Sequence, residues 1–120
     1  MITIGNNIKV TVPQSIRERA RAVFTGLDAK LRSPSDRFDQ FQMPGGSNLG
    51  LEYVPDAEAL TPAQMRIAPW IELVVDDPAI ARDRLLGLGV EQIDYRDKDH
   101  AYFVAPGGFI FRVRAAAERT

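Results

Sequence analysis

Apolar and polar residues alternate with period two at the start of the chain. In NIKVTVP, Asn7 to Pro13, Ile8, Val10 and Val12 share one face, and Asn7, Lys9 and Thr11 share the other. That is the pattern of a half-buried strand. The period then changes. Ile16, Ala20, Val23, Phe24, Leu27 and Leu31 form a stripe at helical spacing, and Ser15 with Glu18 makes a capping-box pattern, so a helix is predicted from there. Gly26 weakens its last turns by roughly 1 kcal/mol relative to alanine, and Ser33-Pro34-Ser35 breaks it. RFDQFQM, Arg37 to Met43, reads as one or two short strands and PGGS as a turn. NLGLEYV is a strand with Leu49, Leu51 and Tyr53 opposite Asn48, Gly50 and Glu52.

The second half repeats this order. WIELVVD, Trp70 to Asp76, is a strand with Ile71, Leu73 and Val75 on one face. Asp77 suits an N-cap, Pro78 the first helical position and Gly89 the stop. VEQIDY (90–95) and HAYFVA (100–105) are strands flanking the RDKD turn, and FIFRVRA follows a second PGG. The PGG turns begin at Pro44 and Pro106, 62 residues apart, and the first strands at Asn7 and Trp70, 63 apart. Two βαβββ modules, about 6–55 and 68–115, joined by a polar linker at about 56–67, account for this economically. The expected class is α+β, with one domain spanning 1–120.

The amphipathic helices must bury their stripes on the apolar side of the strands. Ile8, Val10, Val12, Leu49, Leu51, Tyr53, Ile71, Leu73, Val75, Phe109, Phe111 and Val113 then face the helices. The opposite face carries Asn7, Lys9, Thr11, Asn48, Glu52, Trp70, Glu72, Val74, Ile110, Arg112 and Arg114. Three readings of it are open. It is a solvated sheet face, a set of mutual ion pairs, or a ligand surface in which Trp70 supplies a flat amphipathic wall. An interface role suits Trp70 equally.

Composition removes several classes. Charged residues make up 26% and net charge is -1, without a basic run, so nucleic acid is not expected as a partner. There is no cysteine, hence no thiol nucleophile or thiolate metal site. No stretch has the length of a membrane span or the regions of a signal peptide, so the expected location is cytoplasmic. The only histidine, His100, opens a strand after a turn and reads as a hydrogen-bonding surface residue rather than a general base. Tyr95 and Tyr102 are expected to pack, with a place lining the cup as the alternative, since the pattern does not fix their facing. No P-loop, nucleophile elbow or dinucleotide fingerprint occurs.

WIELVVDDPAIARDRLLGLGV followed by DKDHAYFVAPGGFIFRV, about residues 68–115, resembles the second half of proteins of the vicinal oxygen chelate superfamily: glyoxalase I, bleomycin resistance proteins and extradiol dioxygenases. The resemblance implies that the modules form a cupped mixed sheet with helices on the convex side and a ligand in the cup. It also implies a divalent ion held by His or Glu from the first and last strand of each module. Those positions fall at Asn7, Glu52, Trp70 and Arg112. Tryptophan cannot ligate and arginine repels a metal, so no metal or other cofactor is expected. Glu72, two residues along on the same face, is the alternative donor to Trp70, though Arg112 opposes that. The expectation is a metal-independent small-molecule binding protein of the bleomycin resistance type, with Asn7, Lys9, Glu52, Trp70, Glu72 and Arg112 as ligand-binding residues and a homodimer as its state. The alternatives are a lyase or dioxygenase-type enzyme with a non-standard site, and an assembly or regulatory module without a small ligand.

Overall fold

The computed structural model describes residues 1–118. Its chain divides at Ala59 and Leu60 into two compact units.

In the first unit, β1 (Asn7–Pro13) follows the predicted alternation and is succeeded by α1 (Arg17–Gly26), β2 (Lys30–Arg32), β3 (Phe38–Gln42) and β4 (Asn48–Val54). The sheet runs β1-β4-β3-β2, with β1 parallel to β4 and the other neighbours antiparallel. The register pairs Asn7 with Asn48 and Thr11 with Glu52, so the polar residues of both strands share a face. The other face is the core. Val12, Leu51 and Phe41 have no exposed surface, and the Phe24 ring of α1 stacks on Phe41 with centroids 4.8 Å apart. Ile8 departs from its expected burial and is 49% exposed, among the exposed first residues of β1, where burial begins only at Val10.

Two local expectations fail for physical reasons. Ser15 does not cap a helix. Residues Gln14–Ile16 form a 3-10 turn, α1 begins at Arg17, and Ile16 is its N-cap without a side-chain bond. The Ser15 N–H is instead satisfied by Asp56 Oδ1 at 3.2 Å. Leu31 lies in β2 rather than in the helix. The chain reverses at Asp28, whose φ is +68. The Asp28 N–H donates to the Thr25 carbonyl and the Ala29 N–H to the Phe24 carbonyl. This is a Schellman ending with aspartate where glycine is usual.

The second unit contains α2 (Pro62–Arg66), β5 (Trp70–Val75), α3 (Pro78–Gly87), β6 (Glu91–Ile93), β7 (Ala101–Val104) and β8 (Ile110–Ala115). Its sheet, β5-β8-β7-β6, repeats the first topology, with β5 parallel to β8. The α3 signals hold. Asp77 Oδ1 accepts from the N–H groups of Ala79 and Ile80, Pro78 opens the helix, and Gly89 at φ +80 ends it with the same Schellman pair of bonds. β6 and β7 are shorter than VEQIDY and HAYFVA suggest, and His100 lies just outside β7. Phe103, Phe109 and Phe111 are fully buried, whereas Ile71, Leu73 and Val75 are only half-buried.

The polar segment assigned to a linker holds structure. Thr61 and Gln64 form a reciprocal capping box that starts α2. Met65 is buried against the second PGG turn, where a Cβ at Gly108 would stand 3.2 Å from Met65 Cβ. Gly108 also has φ +95, so glycine is needed there twice over.

Candidate functional site

The polar face of the first sheet is built by β1 and β4. Lys9 Nζ donates to Glu52 Oε1 at 2.8 Å and to Thr11 Oγ1 at 3.1 Å, and Thr11 also reaches Glu52. The Lys9 ammonium holds the Glu52 carboxyl below the usual range. Asn48 Nδ2 donates to Asn7 Oδ1 at 2.9 Å. The tip of the Phe38 ring packs against Gly50: a Cβ at residue 50 would sit 2.4 Å from its Cζ, so a larger residue there must displace the ring. These residues line a recess of about 260 Å³ whose walls are Asn7, Ile8, Lys9, Phe38, Gln40, Asn48 and Gly50. It has an aromatic floor and amide and ammonium walls.

The polar face of the second sheet carries a denser arrangement. The register aligns Glu72, Arg112 and Tyr102 in one row across β5, β8 and β7. Arg112 Nη1 donates to Glu72 Oε2 at 2.5 Å, and Arg114 Nε donates to Glu72 Oε1 at 2.9 Å. Arg112 Nε donates to the Tyr102 hydroxyl, which donates to Asp97 Oδ2 at 2.9 Å. Trp70, half exposed, lies 5.3 Å from the Arg112 guanidinium in cation–π contact. Tyr95 stacks on Tyr102 at 4.2 Å, so the two tyrosines pack as expected. Ile110, on this same face, is buried.

His100 is placed in this network rather than on an open surface. Its Nδ1 lies 2.6 Å from Asp97 Oδ2 and its Nε2 lies 2.6 Å from Glu118 Oε1, with Arg112 Nη2 at 3.2 Å. The bond to Asp97, then that to Glu118, raises its pKa above 6.5. The Asp99 N–H, with His100 and Tyr102, pulls Asp97 down to about 2. The sequence reading missed this group because the facing of β7 depends on the hairpin register. The available signal was the period of β8: if Arg112 faces the polar side, its antiparallel neighbour must also.

A second missed cluster lies on the helix-facing side of the first unit. Asp39 is fully buried beside Phe41. It accepts from Arg17 Nη2, Arg21 Nε and Nη2, and the Tyr53 hydroxyl, all within 2.9 Å. Burial alone would raise its carboxyl; the bonds from Arg21, Arg17 and Tyr53 outweigh it and hold the group at about 2. Burial and the Asp39 charge push the Tyr53 hydroxyl well up. With every acceptor filled, this cluster ties α1 to the sheet and offers nothing to a ligand.

The metal positions implied by the resemblance do not fit an ion. Asn7 and Glu52 are engaged with Asn48 and Lys9; Trp70 has no donor; Arg112 places a permanent cation at the fourth position. Both Glu72 oxygens are taken by arginines, so it cannot replace Trp70. Among the described residues, no group of three His, Cys, Asp or Glu side chains is arranged to hold a metal.

No family model matches the chain, and no curated protein matches its sequence. Solved structures do. The fosfomycin resistance protein FosX from Mesorhizobium loti is 21% identical, with a TM-score of 0.70 over 95% of this chain and 92% of that one. FosX from Listeria monocytogenes, solved with Mn(II) and sulfate ion, is 19% identical, with a TM-score of 0.71 over 96% and 91%. A Bacillus anthracis protein assigned to the glyoxalase family is 15% identical, with a TM-score of 0.70 over 96% of each chain. At these identities the likeness is one of fold.

Proposed function

We propose that this chain, whose fold is that of the vicinal oxygen chelate superfamily, is a small-molecule binding protein that holds a polar, partly aromatic ligand without a metal. The observation that carries the reading is the closure of Arg112 on Glu72 where a metal-binding member needs a free carboxylate. Ion chemistry there is replaced by hydrogen-bond and cation–π chemistry. Asn7, Lys9 and Glu52 on the first sheet and Trp70, Glu72 and Arg112 on the second are the proposed ligand-binding residues. Half-exposed Trp70 offers a stacking surface, and the recess beside Phe38 a second aromatic contact. Among the described residues no helix is long and apolar enough to cross a membrane. A cytoplasmic homodimer is the proposed state, which sedimentation would check.

Trp70 is the only tryptophan, so intrinsic fluorescence reports directly on this face. Titration with cationic aromatics and small acids should change that signal, and Arg112→Ala should abolish the response. Metal analysis of protein purified without chelator is the opposing test. A stoichiometric divalent ion would return the chain to the metal-dependent enzymes, the reading favoured by the Mn(II) in the Listeria structure.

A further inference from the structure

We propose that the second sheet carries a carboxylate-binding site at His100 and Arg114, backed by Arg112, and that the chain's own Glu118 fills it as an internal stand-in. The inference rests on the reading of this polar face as a ligand surface and names the ligand class.

Glu118 is anchored by its side chain and its main chain, and its N–H donates to the Ala115 carbonyl at 3.0 Å. Its Oε1 meets His100 Nε2 at 2.6 Å, and its main-chain oxygen accepts from Arg114 Nη1 at 2.9 Å. The other imidazole nitrogen meets Asp97. A carboxylate on each ring nitrogen favours a proton on both and hence an imidazolium, against the opposing charge of Arg112 Nη2 at 3.2 Å. The raised His100 pKa agrees with that geometry.

Charge then distinguishes Glu118 from its neighbours. The face joins three cations, His100, Arg112 and Arg114, to three anions, Glu72, Asp97 and Glu118. Glu72 lies within β5, bound to both arginines, and Asp97 accepts from His100, Tyr102 and the Asp99 N–H. Glu118 instead sits on an exposed turn beyond Ala116 and Ala117, with its side chain 39% exposed. Lifting this turn leaves three cations against two anions in a part-buried setting. An incoming carboxylate restores the balance, taking His100 Nε2 from the Glu118 carboxylate and Arg114 Nη1 from the Glu118 main-chain oxygen. A neutral amide cannot.

The test uses the full chain, benzoate as probe and benzamide as its uncharged counterpart, read by the backbone amide NMR shifts of β7 and β8, which every variant keeps. Glu118→Gln, on an exposed turn, preserves the fold. If the turn is closed about nine-tenths of the time, the variant, which loses the charge but keeps the main-chain bond to Arg114, should bind benzoate more tightly than the native chain by up to about tenfold. Benzamide should bind neither, and His100→Gln added to Glu118→Gln should remove the gain. Equal benzoate affinity in the native chain and Glu118→Gln, or no binding to the variant, overturns the proposal. If cationic aromatics still change Trp70 fluorescence in that case, the carboxylate site alone is refuted. If no compound binds to any form, the ligand-surface reading falls with it.

Discussion

Replacing Asp39 by asparagine tests the energetic account of the first unit. The carboxylate receives four hydrogen bonds: Oδ1 from Arg17 Nη2 and Arg21 Nη2, Oδ2 from Arg21 Nε and Tyr53. An amide retains one acceptor and turns an N–H₂ toward two of the donors; facing Arg17 and Arg21 Nη2 it loses both bonds, and facing Arg21 Nε and Tyr53 it loses the arginine's, the hydroxyl reversing to accept. The change also leaves two guanidinium groups, with side chains 21% and 39% exposed, without their counter-ion. Breaking a buried pair from one side costs about 3–5 kcal/mol. The carboxyl pKa gives an independent lower figure. Its descent from 3.8 to about 2 corresponds to about 2 kcal/mol favouring the folded state. A loss of about 3 kcal/mol at pH 7 is expected, a large share of the 5–15 kcal/mol typical of a domain.

Because the folded carboxyl is the stronger acid, its contribution is complete above about pH 4 and fades as pH falls toward 2. Urea unfolding of both forms across pH 2–7 measures this, and the difference between them cancels carboxylates common to both. The gap should be widest at neutral pH and close toward pH 2. A gap below 1 kcal/mol at pH 7, or one independent of pH, would refute the reasoning.

Two further expectations concern stability. Asp77→Ala removes a cap that accepts two N–H bonds and should cost about 1 kcal/mol, whereas Ser15→Ala should stay within about 0.5 kcal/mol because its side chain caps nothing; thermal melts of the two variants compare them directly. Gly50→Ala should cost about 1–3 kcal/mol by driving the Phe38 ring from its place, and Phe38→Leu in the same chain should recover much of that loss. An undiminished Gly50→Ala single variant would show that the ring moves freely.

The helix that starts at Asp77 was legible because its cap, first-turn proline and terminal glycine act within a few residues. The Ser15 pattern misled because Ser15 is satisfied by Asp56, far along the chain, which no local window contains. Leu31 continued the helical stripe only until Asp28 adopted a left-handed conformation that few aspartates take. α2 escaped notice because five residues are too short for periodicity, although Thr61, Pro62 and Gln64 spell its start. At the candidate site, alternation alone brought Glu72 and Arg112 to one face. It could not supply His100, Tyr102 and Asp97, whose meeting depends on the β7–β8 register. Asp39 was missed for another reason. It shares a face with Phe41, and Arg17 with Arg21 stand one helical turn apart, but an acid in an apolar row reads as exposed until its partners are seen.

The parallel pairing of first and last strands has a consequence for folding kinetics. The β3–β4 and β7–β8 hairpins close short loops, while β1 must find β4 across 41 residues and β5 must find β8 across 40. Loop-closure entropy makes the local hairpins early and the docking of β1 and β5 late. Trp70 and Glu72 ride on β5, so the second polar face is complete only once β5 has docked on β8, and a molecule that grips it acts as a clasp that slows escape from the native basin.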